Sequence, residues 1–349
     1  MAKQKLNTEE LIKYIDRHPN LSSKDIFDVM GVKLISYATL KRILKNLEEK
    51  NYVATTGNGK GTKYRISNAY TLIREINVDD YFKDEVDQRK IKNNFNYTLI
   101  KDTLNKVDLF SSHEIQLLNS LQKKYNEKTK QLSVNAFKKE MERLAIDLSW
   151  KSSQIEGNTY SLLETELLLK DKETAAGRTK DEAVMLLNHK EAIDFIIANP
   201  DYIKPLTLRS IEDIHSILIK ELGVDRNIRQ RSVGISGTNY RPPDNDFQIK
   251  EAMEELCGLV NLKNNVFEKA FLAILMISYI QPFNDGNKRT ARIISNALLM
   301  NNKYCPLSFR TVDSAEYKKA ILIFYEQNNI SAFKQIFINQ FEFAVNTYF

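Results

Sequence analysis

Residues 281–292 read Gln-Pro-Phe-Asn-Asp-Gly-Asn-Lys-Arg-Thr-Ala-Arg, a polar turn set between two apolar stretches, Ala270–Ile280 and Ile293–Met300. The pattern predicts a core helix entering a loop that opens into a second core helix. Gly286 allows a tight turn, and the amides that follow it point out of a helix N-terminus, where they favour anions. Lys288, Arg289 and Arg292 add positive charge, and Arg289 and Arg292, three residues apart, share one helix face. Asp285 is the carboxylate beside them, placed to hold a divalent ion bridging phosphates. Read residue by residue, this is a polyphosphate–magnesium site. The plainer alternative is a loop between core helices, with Asp285 as N-cap and the arginines solvated.

Outward from this turn the chain predicts amphipathic helices over 112–126, 133–150, 161–170, 180–198, 207–221, 248–261, 266–280, 287–301, 314–327 and 331–346. The break at 227–246, with Val233 and Ile235 alternating around Gly234 and followed by Gly237 and Pro242-Pro243, predicts a short β-hairpin. Residues 68–110 are polar, with Tyr97, Ile100 and Leu104 at helical spacing, and are expected to be a helical connector. The 349-residue chain carries a net charge of +6. All of that excess lies in residues 1–65, with 13 Lys+Arg against 7 Asp+Glu; the remainder has 38 of each sign. Such a local excess attracts polyanions, nucleic acid first, or is merely a solvated surface. Cys257 and Cys305 alone exclude a disulfide framework and a cysteine-rich metal site. No apolar run is long enough to span a bilayer, so a soluble, cytoplasmic protein without membrane contact is expected.

The basic segment predicts a helix at Thr8–Arg17, a short second helix carrying Ile26, Val29 and Met30 and ended by Gly31, and a third begun by Ser36. Lys41, Arg42, Lys45 and Lys50 fall on the third helix's exposed face. Residues 52–56 and 62–66, around Gly57-Asn58-Gly59-Lys60-Gly61, predict a hairpin. The order resembles a winged helix-turn-helix over residues 5–67. That resemblance implies a helix in the major groove of double-stranded DNA and a wing on phosphates, with Lys41, Arg42, Lys45, Lys60 and Lys63 as contacts. Winged helices also join proteins to proteins.

Residues 281–292 also resemble the Fic family motif, His-x-Phe-x-(Asp/Glu)-Gly-Asn-(Gly/Lys)-Arg-x-x-Arg, at Phe283, Asp285, Gly286, Asn287, Lys288, Arg289 and Arg292. Ser152-Ser153-Gln154-Ile155-Glu156-Gly157 looks like the family's N-terminal inhibitory motif, and residues 231–243 look like its flap hairpin. The resemblance implies a mainly α Fic domain over 111–349, preceded by the connector 68–110 and a small α/β winged-helix domain over 1–67. It implies transfer of AMP from ATP to a hydroxyl on a target protein, the target itself unknown. Asp285 would hold Mg²⁺; Gly286, Asn287, Lys288, Arg289, Arg292 and Tyr325 would bind ATP; Val233, Gly234 and Ile235 would align the target. Ser152, Glu156 and Gly157 would form the inhibitory segment, with Glu156 on Arg292 in place of the γ-phosphate. Lys288 in place of glycine is the Doc-like variant, which leaves the transferred group open.

Glu156 has a second reading, as the far end of a Ser153-x-x-Glu156 capping box. One departure bears on activity: the family's catalytic His is Gln281, an amide without a useful pKa, and losing such a base removes a factor of about 10²–10⁴. His18, His113, His189 and His215 offer no substitute by position. Three functions remain: a Fic-type adenylyltransferase scaffold whose catalysis uses Gln281, Asn287 and Arg289; a nucleotide-sensing DNA-binding regulator on an inactive Fic domain; and Glu156-driven removal of AMP. Tyr317 and Tyr325 are candidates to stack on the base or to serve the core. Phe333, Phe337, Phe341 and Phe343 leave a homodimer face open, with core packing the alternative.

Overall fold

The structure, a computed structural model, describes residues 7–31 and 35–349; the first six residues of the expected N-terminal domain, and 32–34, lie outside them. The chain forms two compact units, Met1–Glu75 and Ile76–Phe349. Among the described residues no helix is long and apolar enough to cross a membrane.

In the first unit α1 (Thr8–Arg17) is capped by the Asn7 side chain, α2 (Ser23–Ile26) runs into a wide turn at Phe27–Gly31, and α3 (Tyr37–Glu49) is capped by Ser36. Strands β2 (Val53–Thr56) and β3 (Lys63–Ile66) pair antiparallel in the register Val53 to Ile66, as the hairpin pattern requires. A third strand, β1 (Leu21–Ser22), pairs with β3 and gives the order β1-β3-β2. Two residues are too short to carry an alternation, which is why the sequence does not announce it. Leu11, Ile15, Ile26, Leu40, Leu44 and Leu47 close the core under this sheet. Each contributes on the order of 1.5–3 kcal/mol by leaving water. The chain continues into α4 (Asn68–Ile73).

The second unit is helical: α5 (Val78–Tyr81), α6 (Ser112–Gln131), α7 (Val134–Ile155), α8 (Leu162–Asp171), α9 (Lys180–Ala198), α10 (Leu208–Leu218), α11 (Asp246–Leu262), α12 (Val266–Ile280), α13 (Asn287–Asn301), α14 (Ser314–Gln327) and α15 (Ser331–Thr347). Four of these match the expected ends, and α7 runs five residues further than its pattern suggested. Every residue of α12 except Val266 and Lys269 is buried, so this helix is the axis of the unit. It packs on α11, α13 and α14, while α13 packs on α7, α9 and α10.

Two expectations are corrected. Residues 231–243 are an irregular loop and not a hairpin: they carry no strand, and their one bridge joins Arg241 to Asn94. Two glycines and the Pro242-Pro243 pair weaken any ladder there. Phe333, Phe337 and Phe341 are 0% exposed and packed on Phe267 and Phe271 of α12, so these three rings are core and not surface; Phe343 is half-buried.

Candidate functional site

The polar turn is built from its own side chains. Helix α12 ends at Gln281, whose φ of 52° is left-handed. The Gln281 Nε2 donates to the Ser278 carbonyl (2.6 Å), and its Oε1 accepts from Asn287 Nδ2 (3.1 Å). Asn287 in turn accepts from the Phe283 N–H and donates to the Phe283 carbonyl, both at 2.8 Å. The Phe283 ring is buried face-to-face on His215 at 3.6 Å. Gly286 is the N-cap of α13, at φ 77°, with no side-chain cap on the helix. A Cβ at Gly286 would lie 3.2 Å from His215 and Ile219. Glycine is thus favoured by both the left-handed backbone and the tight space, and the first amides of α13 remain open to an acceptor. Asp285 is exposed and is not the N-cap, which removes the plain-loop reading of that residue.

Glu156 terminates α7 as its C-cap. Ser153 therefore lies in the last turn of that helix, and the capping-box reading fails because no helix starts there. Instead Glu156 Oε1 accepts from Arg292 Nη2 at 2.9 Å and Oε2 from Lys288 Nζ at 3.2 Å. Burial pushes the Glu156 carboxyl up, but Arg292 and Lys288 outweigh it and hold the pKa at about 2. The site thus has two carboxylates, Glu156 and Asp285; residues 281–292 by themselves offered only Asp285, and Glu156 entered through the family resemblance.

Arg292 is fully buried, and Ser152 holds it from the other side: Nε donates to Ser152 Oγ (2.8 Å) and Nη2 to the Ser152 carbonyl (2.9 Å). Ser152 Oγ also meets His189 Nε2 at 2.7 Å. The hydroxyl oxygen has two lone pairs, so it can accept from both Arg292 and His189 or give its proton to the imidazole, and the His189 Nδ1 is buried without a partner. Burial, then Arg292 and Arg289, drive the His189 pKa well below its ordinary value, which favours the neutral ring. Arg289 is 1% exposed; it donates to Asp285 at 3.1 Å, and its Nε is buried without an acceptor. The arginines thus share a face, but beneath the surface and not solvated.

A cavity of about 540 Å³ lies over this floor. It gathers Gln281, Asp285, Gly286, Asn287 and Lys288 with Glu156, with Val233, Gly234 and Ile235 of the loop, and with Tyr325 of α14. Gly157 is exposed just beyond Glu156, at φ 102°. Tyr325 is 0% exposed and packs on Tyr240 and Tyr279, and Tyr317 lies buried under the Arg292 guanidinium, 5.3 Å away. No histidine or cysteine lines the cavity among the described residues. His215 touches the turn only from behind, and burial lowers its pKa to about 4. Lys41, Arg42, Lys45, Lys60 and Lys63 are in the first unit, all exposed.

Four residues escaped sequence reasoning. His189 and His215 are brought in from α9 and α10. Arg229, 1% exposed, donates to the carbonyls of Gln281 (2.6 Å), Arg231 (2.7 Å) and Pro243 (2.5 Å), pinning both feet of the 231–243 loop to the turn. Arg89 reaches the tip of that loop, donating to the Gly237 carbonyl at 2.6 Å. An arginine among Arg226, Arg229 and Arg231 reads as solvated charge, and no local pattern distinguishes the buried one.

Residues 205–299 match the model of the Fic/DOC family. The chain is 30% identical over 174 residues to a protein adenylyltransferase Fic of Nematostella vectensis, across 48% of this chain and 40% of that protein. A protein adenylyltransferase Fic of Aedes aegypti is 29% identical over 181 residues, across 49% of this chain and 35% of that one. The chain thus spans less than half the length of these relatives. Its fold is similar to Fic-1 (residues 134–508) of C. elegans, with a TM-score of 0.60 at 19% identity over 68% of this chain and 72% of the other. A Fic domain containing signaling protein of Bacteroides thetaiotaomicron gives 0.55 at 21% identity, over 66% and 93%.

Proposed function

We propose that this chain, which carries a Fic/DOC family domain at residues 205–299, is a nucleotide-binding scaffold of the protein-adenylyltransferase type, held in a restrained state by Glu156. The observation that carries the reading is the Glu156 carboxylate seated on Arg292 and Lys288 beside the open N-terminus of α13. Two cations at a helix N-terminus attract phosphates, and a carboxylate with both oxygens on them competes for the same place. ATP is the substrate named by the activity of the relatives. On this reading Arg292 takes the terminal phosphate once Glu156 leaves, Lys288 and the amides of Gly286 to Arg289 take the inner ones, and Asn287 keeps the turn in shape.

The residues present fit a magnesium ion. Asp285 is exposed beside the cavity floor, and a single carboxylate is the donor set of an ion carried in on phosphates. When bound, Mg²⁺ would neutralise charge on those phosphates. The acceptor hydroxyl belongs to a target protein aligned along residues 233–235. Gln281 cannot take the hydroxyl's proton, since an amide is not a base at working pH, and its own amide bonds to Ser278 and Asn287. The chain's contribution is therefore positioning and charge, which phosphoryl-group chemistry uses heavily.

The test is transfer of label from α-phosphate-labelled ATP with Mg²⁺ to protein. In the Glu156→Gly protein, label on protein is the expected result for an active transferase. Label only after Gln281→His is added means a nucleotide site lacking its base. If neither protein binds Mg·ATP, the reading is wrong.

A second reading takes the chain as a nucleotide-sensing regulator whose first unit is a winged helix on double-stranded DNA. It is supported by the exposed basic face of α3 with the basic β2–β3 turn, and by the base-free Gln281. A change in DNA affinity on adding Mg·ATP supports it; unchanged affinity sinks it. Removal of AMP by Glu156 has weaker support, since both carboxylate oxygens are taken by cations.

A further inference from the structure

The segment that the sequence offers as a connector is laced to both walls of the cavity. From α14, Glu326 is fully buried at the helix end, and Arg89 grips it twice, Nη2 to Oε1 at 2.9 Å and Nε to Oε2 at 3.0 Å. Tyr81 donates to the same carboxylate at 2.6 Å. From the opposite wall, the Gly237 carbonyl at the tip of the 231–243 loop accepts from the same Arg89 Nη2. Arg89 is itself 7% exposed at its side chain and lies over the Phe82 ring. Further along, Asn239 donates to Asp87 at 2.9 Å, and the backbones of Asn93 and Phe95 bracket Arg241.

From this geometry we infer that Arg89 is the positioning residue of the loop that roofs the cavity: one guanidinium ties the loop tip to the end of α14 and so sets the gap between them. Arg229 fixes the feet of the loop, but residues 233–236 between carry no backbone ladder that would hold the tip in place. A planar fork presents its donors at fixed angles and so holds two acceptors at a set separation, whereas an ammonium on a flexible stem fixes no such geometry. That the roofed cavity takes a nucleotide rests on the function proposed above; the latch itself does not.

The experiment places a spin label on Ser236→Cys in the full chain and compares a reference label on Leu262→Cys, at the exposed end of α11. Native Cys257 and Cys305 are buried, so labelling is site-directed. The pair Arg89→Met with Glu326→Gln removes the latch without leaving a buried charge alone. The expected result is motion about tenfold faster at the loop label, with the reference label unchanged. Arg89→Lys gives an intermediate loop signal, because the ammonium keeps the charge but not the fork's fixed spacing between the two acceptors. Tyr81→Phe, which loosens the Glu326 cluster without touching the loop, leaves the label slow. Equal loop motion with and without the latch overturns the inference, as does an equal gain at both labels, which means general loosening. Mg·ATP binding by the unlabelled protein is measured separately, so loss of the nucleotide reading and loss of the latch are told apart.

Discussion

The turn at 281–287 and the loop at 231–243 face each other across the cavity and are built in opposite ways. The turn closes on itself: Gln281, Phe283 and Asn287 satisfy one another within seven residues, beside a position that favours glycine. The loop has no ladder of its own and is held from outside: by Arg229 at its feet, by Arg89 at its tip, and between them by the Asn239–Asp87 bond and the Arg241 backbone on Asn93 and Phe95. A turn whose polar groups pair largely with one another is broken first by changes within it. A loop held largely by side chains from elsewhere fails when those side chains go.

The largest expected effect that separates the two is at Gly286. Gly286→Ala places a side chain at positive φ against His215 and Ile219. It should lower the unfolding free energy in urea by about 3 kcal/mol, combining a left-handed penalty with overpacking. An alanine there that costs nothing would break the account of the turn. Next is Asn287→Ala, which leaves the Phe283 N–H and its carbonyl buried and unpaired, at about 2 kcal/mol. Arg229→Met comes third at about 1–2 kcal/mol, since it removes a buried charge along with its bonds. Its mark is local: faster cleavage by trypsin after the exposed Arg231, with the helices of the unit still resistant. A protein that unfolds as a whole would place Arg229 in the core and not at the loop.

The smallest effect is a null one over pH. The Glu156 carboxyl sits below its ordinary value, at about 2 against 4.5. Its pairing with Arg292 and Lys288 is therefore fully present above about pH 4.5 and is lost only as pH falls toward 2. The ratio of Mg·ATP affinities of wild type and Glu156→Gln should be flat from pH 9 to pH 6, a range in which ATP's own titration cancels. A ratio that collapses toward unity near neutral pH would mean that Glu156 takes up a proton there, against the charges that surround it.

Much of this protein follows from sequence alone, where the signal is local. The apolar run of α12, the polar turn and the stripe of α13 set three elements to within a residue, because helix periodicity and a glycine turn are decided by neighbours in the chain. The same holds for α9, for α14 and for the β2–β3 hairpin. The carboxylate–arginine meeting of Glu156 and Arg292, 136 residues apart, followed from a family resemblance and not from any spacing. What only the tertiary structure decided lies across elements. The aromatic stripe at Phe333, Phe337 and Phe341 reads equally as a face or a core until α12 covers it. Ser153-x-x-Glu156 reads as a cap until α7 is found to end there. Arg89, Arg229, His189 and His215 carry no local mark, because a side chain's burial and partners depend on which helices close over it. In a long connector, a charge buried by a distant carboxylate looks in sequence like one in water.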